Sequence, residues 1–159
     1  MAKTNPWYEA IAMPALLRHA RTVYGGAMRR ALDEAGYEDI PKNGLYVIGG
    51  LAPGAHGVPL GQLVKELRVS KQAAGQLVDT LVLRGYLERT VDPDDRRKLT
   101  VTLTERGRGA AAVQTAARKR IDAAWLARAG RNNVLCTRRT LAALIDLAHE
   151  QADRQPDEP

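Results

Sequence analysis

PLGQLVKELRVSKQAAGQLVDTLVLRGYLERTVDPDDRRKLTVTLTERG, residues 59–107, decides the fold, because two helical patterns, a short turn and a charged hairpin tip follow one another in a single run. Leu60, Leu63, Val64 and Leu67 recur at i, i+3, i+4 and i+7, the spacing of one helix face. Pro59 is expected at the first position of that helix, where a missing N–H does no harm. Ser70 can cap a second helix by accepting from its unpaired first-turn amides. The second helix is expected to bury Ala73, Ala74, Leu77, Val78 and Leu81 and to present Gln72, Gln76 and Thr80 outward. Two helices joined so tightly, the second apolar inside and amide-bearing outside, make a helix-turn-helix whose second helix suits a major groove. A glutamine there can bond adenine at N6 and N7.

Gly85 stops the second helix, and Tyr86 to Thr90 has strand-like content. Leu99, Val101 and Leu103 alternate with Thr100 and Thr102, so a second strand follows with one face buried. Between them, Asp92-Pro93-Asp94-Asp95 favours a turn, and Arg96, Arg97 and Lys98 stand behind it. Long cationic side chains at the tip of a two-stranded ribbon can reach a minor groove or its phosphates. Thr104 can cap the next helix.

Ser70 to Leu87, then Asp92-Pro93-Asp94-Asp95-Arg96-Arg97, then Val101-Thr102-Leu103-Thr104-Glu105-Arg106-Gly107, resembles the MarR family of bacterial transcriptional regulators. The shared pattern is an aspartate and two basic positions at the wing tip, an apolar strand ending in Leu-Thr, and a glycine three residues later. A weaker match of the flanking helices extends the resemblance over nearly the whole chain. It implies a mainly α fold with a small two- or three-stranded antiparallel wing, a winged helix-turn-helix that works as a dimer. By the resemblance, Arg97 is the wing residue for the minor groove, and Asp95 is the carboxylate that holds the wing arginine. Ser70, Lys71, Gln72, Ala73 and Gln76 fall on the base-reading and phosphate-contacting start of the recognition helix, and Thr80, Arg84, Arg96 and Lys98 complete the expected DNA-contacting set. Gly75 departs from the pattern, costing that helix roughly 1 kcal/mol relative to alanine.

Composition agrees. The 159 residues, 45% apolar, are enough for one compact domain or two small lobes. A net charge of +6 and a pI near 9.8 suit a polyanionic partner, double-stranded DNA in this reading. No run of ~18 apolar residues and no signal peptide stands in the chain, so neither membrane insertion nor export is expected, and the cytoplasm is the expected compartment. One cysteine, Cys136, excludes an intramolecular disulfide, and no Cys and His spacing resembles a zinc site. With no nucleophile-and-base motif, metal constellation or phosphate-binding glycine loop, an enzyme is not expected, nor a cofactor.

Outside the winged region the pattern is a helical frame. Pro14 can start a helix carrying Leu16, Leu17, Ala20, Val23, Tyr24, Ala27 and Ala31 before Gly36 ends it, with Gly25 and Gly26 marking a kink or close packing. A short helix with Leu45, Tyr46, Ile48 and Leu51 should floor the DNA-binding lobe, and 52–57 form the loop after it. An alanine-rich helix follows Thr104 with Val113, Ala117, Ile121, Ala124 and Trp125; 130–133 break it, and Thr137 is the expected cap of a last helix carrying Leu141, Leu144, Ile145 and Ala148. These terminal helices carry more apolar surface than a small lobe can cover. A homodimer is therefore expected, with Leu16, Leu17, Leu141, Leu144 and Ile145 at its interface; the resemblance implies the same dimer, its first, fifth and sixth helices intertwined. The expected divisions are 1–39 and 105–152 for dimerisation, 40–104 for DNA binding, and a disordered tail over 153–159.

Function then reads as a sequence-specific regulator, a ligand-responsive repressor on an inverted-repeat operator. A winged-helix module that binds protein in place of specific DNA is the alternative, as is a cysteine-based oxidant sensor. Cys136 lies before the last helix, whereas sensors of this family place the reactive cysteine near the first, so a small buried residue in the dimer frame is the reading set against it. Tyr24 and Tyr46 are candidates to line a pocket for a small aromatic effector.

Overall fold

The structure is a computed structural model and describes residues 6–51, 58, 59, 62, 70–91 and 99–153. A short 3₁₀ turn, Trp7–Ala10, precedes α1 (Met13–Glu34) and α2 (Gly44–Leu51). Then come β1 (Val58–Pro59), α3 (Lys71–Leu83), β2 (Leu87–Val91), β3 (Leu99–Leu103), α4 (Glu105–Ala129) and α5 (Arg131–Asp153). The helix expected over 60–67, the loop 52–57, the wing tip 92–98 and the tail beyond Asp153 lie outside the described residues. The chain divides into two compact units, Met1–Arg118 and Lys119–Pro159.

The first unit builds its core from the apolar faces of α1, α2 and α3, the sheet and the start of α4. Leu32 of α1, Val47, Ile48 and Leu51 of α2, Val78 and Leu81 of α3, Leu87 of β2 and Val101 of β3 are buried together with Ile40 and Tyr86 from the connections. Each buried Leu, Ile or Val of this kind contributes roughly 1.5–3 kcal/mol relative to exposure. From α4 only alanines enter the core cluster, Ala110 and Ala111, and their small side chains let the helix axis come close. The sheet is three-stranded and antiparallel, in the order β1-β3-β2, with Leu87 opposite Leu103 and Arg89 opposite Val101. Its alternation buries Val101 and Leu103 and leaves Thr100 and Thr102 half-buried, as the period of two requires.

Four expectations change. Pro59 pairs with Thr100 as part of β1 and does not open a helix; β1 is an edge strand, where a residue without an N–H is tolerated. Tyr86 sits in the joint before β2, which starts at Leu87. Ala73 is exposed, because the turn that buries Ala74 and Val78 faces it away from the core. Thr137 caps nothing: α5 already begins at Arg131, and the Thr137 hydroxyl donates to the Asn133 carbonyl at 2.9 Å from inside the helix. Gly130 alone separates α4 from α5, at φ 80°, a left-handed conformation that glycine adopts without steric cost. Asn133 finishes the junction by donating from Nδ2 to the Ala129 carbonyl at 2.8 Å.

Candidate nucleic-acid interface

Ser70 starts the site. Its hydroxyl accepts from the Ala73 N–H at 3.2 Å, satisfying one of the four orphan amides of α3. Lys71, Gln72, Ala73 and Gln76 then lie exposed, while Ala74, Val78 and Leu81 on the other side are buried. One face is thus anchored and the other left free to meet a partner. A Cβ added at Gly75 would meet nothing within 4 Å, so its small size reflects no packing demand within the chain. Thr80 is half-buried and donates to the Gln76 carbonyl at 2.8 Å, which ties its hydroxyl to the helix backbone.

The hairpin is tied to this helix by Arg89 of β2, whose guanidinium pairs with Asp79 of α3. An exposed pair of this kind adds at most about 1 kcal/mol to stability. It joins α3 to β2 at their exposed edge, beside the core that Val78, Leu81 and Leu87 share. The expected wing residues Asp95, Arg96, Arg97 and Lys98 lie outside the described residues.

Arg84, Gly85 and Tyr86 join α3 to β2, and this joint is gripped from two sides. Gly85 has φ 74°, so the turn needs a residue free to be left-handed. The Arg84 guanidinium donates to the Asp39 carbonyl, and the Tyr86 hydroxyl donates to the Asp39 carboxylate. Arg106 of α4 donates to the same carboxylate at 3.0 Å and to the Arg84 carbonyl at 2.8 Å, and its guanidinium lies 4.4 Å from the Tyr86 ring centroid. The Thr104 hydroxyl donates to the Gly85 carbonyl and accepts from the Gly107 N–H at 3.0 Å, capping α4 as expected. A side chain at Gly107 would be driven into the Tyr86 carbonyl oxygen. The hydrogen bond from Tyr86 outweighs burial and, with Arg106, holds the Asp39 carboxyl below its ordinary range. Burial, and then the bond to Asp39, pushes the Tyr86 hydroxyl well above its ordinary value, so it remains a donor.

Asp39, Arg106 and the Asp79–Arg89 pair carry no signal in the sequence pattern, because each partner comes from a different element. The structure also gives Arg84 a bond to the Asp39 carbonyl, a bond that periodicity does not show.

Glu38 and Ile40, the chain neighbours of Asp39, line a cavity of about 920 Å³ that runs along α1 and the start of α2. Arg18, Arg21, Arg29 and Lys42 line it against Asp33 and Glu38, and Gly25 and Gly26 open its wall. Tyr46 is on the lining, its hydroxyl accepting from Arg21 Nε at 3.2 Å; Tyr24 is half-buried and does not line the cavity. Of the residues expected at a dimer interface, Leu16, Leu17 and Leu141 are half-buried and Leu144 and Ile145 are exposed within the single chain. Cys136 is exposed, not buried. Among the described residues no group of three potential metal ligands occurs, and no helix is long and apolar enough to cross a membrane.

A capped helix with a free polar face, followed by an antiparallel hairpin braced against it, defines the winged helix-turn-helix class. The profile of the MarR family matches residues 45–98. The chain is 35% identical, over 99 residues, to the uncharacterized HTH-type transcriptional regulator YwhA of Bacillus subtilis (strain 168), covering 60% of this chain and 68% of the relative. Among solved structures, that of MarR superposes with a TM-score of 0.72 over 92% of this chain and 97% of its own at 17% identity. That of Streptococcus pneumoniae FabT in complex with DNA gives 0.71 over 88% and 99% at 18% identity. The chain belongs to the MarR family of winged helix-turn-helix transcriptional regulators, a family of regulators and not of enzymes.

Proposed function

We propose that this regulator is a homodimer that reads an inverted-repeat operator in double-stranded DNA, and that it represses until a small anionic ligand releases it. The exposed face of α3 carries the reading: Lys71, Gln72, Ala73 and Gln76 stand free at a capped helix N-terminus whose opposite face is locked into the core. A helix held this way can enter a major groove, its glutamines reading bases and its N-terminus and Lys71 meeting phosphates. Arg96, Arg97 and Lys98 supply the wing contact. That the FabT structure, alike in fold, holds DNA supports the same use here. In this reading 1–39 and 105–152 form the dimerisation region and 40–104 the DNA-binding lobe. The effector reading rests on the cavity, within the ~300–1,000 Å³ usual for small-molecule sites. Four cations against two carboxylates on its wall favour an anion, and Tyr46 offers it a ring.

The test is a mobility shift with the DNA upstream of the protein's own gene, run with heparin competitor. A specific complex is expected, with Gln72→Ala or Gln76→Ala losing roughly 1–3 kcal/mol on the preferred site and much less on scrambled DNA. Arg97→Ala is expected to weaken binding to both and to flatten the salt dependence. Equal losses from the glutamine variants on both DNAs would remove them from base reading.

A further inference from the structure

Arg29 belongs to the cavity and to its wall at once. It lines the cavity, and its guanidinium donates to the Ile40 carbonyl at 2.8 Å and to the Pro41 carbonyl at 3.4 Å. It thereby ties α1 to the connection that leads into α2. The residue before Ile40 is Asp39, which takes the Tyr86 hydroxyl, Arg84 and Arg106 on the joint that ends α3. One short segment, 39–41, is held from the cavity side by Arg29 and itself holds the end of the recognition helix.

We propose that Arg29 and Asp39 form a relay from the cavity to α3, Arg29 as the sensing residue and Asp39 as the positioning residue. This rests on the reading that the cavity takes an anion. A ligand carboxylate there offers Arg29 an oppositely charged, bidentate partner in place of two neutral carbonyls, nearer than the Asp33 carboxylate, which stands 3.9 Å away. The guanidinium leaves the Ile40 and Pro41 carbonyls for it, and segment 39–41 loses its tie to α1. Asp39 then grips Arg84 and Tyr86 less firmly. The end of α3 loosens on the helix that must meet DNA in a fixed pose.

The readout is the exchange of three amides, Arg84, Gly85 and Tyr86, whose N–H groups bond the Thr80, Val82 and Leu81 carbonyls. It is followed by NMR in the full chain for wild type, Arg29→Gln, Asp39→Asn and the double variant. Each single change is expected to speed exchange about tenfold, the equivalent of one hydrogen bond to a charged group, and the double variant no more than the faster single. Multiplied effects, or no change in Arg29→Gln, would overturn the relay, because independent sites add in free energy. Should Asp39→Asn not fold, Tyr86→Phe replaces it, removing one hydroxyl and keeping the ring. Benzoate, a minimal aromatic anion, supplies the ligand arm. Saturating benzoate is expected to bring wild-type exchange to the Arg29→Gln rate and to leave Arg29→Gln itself unchanged. Benzoate bound in the cavity with no effect on these amides overturns the relay. A wild type that does not bind benzoate overturns the anionic-effector reading, and the relay is then decided by the mutational cycle alone.

Discussion

The unit Met1–Arg118 contains every buried side chain among the described residues, whereas Lys119–Pro159 contains none. The first buries leucines, isoleucines and valines from three helices and two strands around Tyr86. The second consists of the end of α4 and the whole of α5, with Leu144, Ile145 and Leu147 about half exposed at 49%, 56% and 53%. Beyond Arg118 neither helix buries a side chain among the described residues, although most helical stability in proteins comes from packing an apolar face. The first unit is therefore built to hold a shape, and the second to be completed by another surface. In the proposed homodimer that surface is a second copy of the same helices.

The largest test of this contrast is Leu144→Glu. Placing a carboxylate in the apolar stripe is expected to convert a micromolar dimer to monomer and to abolish operator binding with it, because an unpaired charge cannot be buried at the interface. Sedimentation velocity with footprinting follows both; wild type should protect two half-sites whose centres lie ~10 base pairs apart. A dimer that survives the change would place the covering surface elsewhere.

Within the first unit the sharpest change is the smallest in volume. Gly107→Ala forces a methyl group into the Tyr86 carbonyl, which already accepts from the Thr104 N–H at 3.1 Å, while the Thr104 hydroxyl holds the Gly85 carbonyl beside it, so a loss of about 3 kcal/mol is expected. Urea melts measure it. Alanine at Gly75, where nothing stands within 4 Å, serves as the control and is expected to stabilise the helix slightly.

The smallest effect is on pH. The folded pKa of Asp39 is lowered, so its contribution to stability is present above the unfolded carboxyl value, near 4, and is lost as pH falls through the lower folded value. The stability difference between wild type and Asp39→Asn should be constant above about pH 4 and shrink below it. A difference that does not change with pH would mean that the carboxylate charge plays no part in holding the joint.

Much of this was legible in the chain because it depends on neighbours in sequence. The Ser70 and Thr104 caps, the stop at Gly85 and the alternation of β3 each follow from the rules of one element. The misplacements of Pro59 and Thr137 came from the same source. A proline before an apolar repeat and a threonine before another both look like helix starts, and only strand pairing across 41 residues, or a helix already begun at Arg131, shows otherwise.

By itself the sequence determined the class of fold and the family, since helix period, strand period, caps and a charged turn are local properties that need no third dimension. It also placed the exposed start of α3, because burying one helix face leaves the other outside. The tertiary structure alone decided that Asp39 meets Tyr86 and Arg106, 47 and 67 residues away, that Gly107 must be glycine because a carbonyl fills the space beside it, and that Arg29 faces a cavity while holding Ile40. These contacts join elements whose order in the chain says nothing of their distance in space. They form when the core closes, and no periodicity along the chain records them.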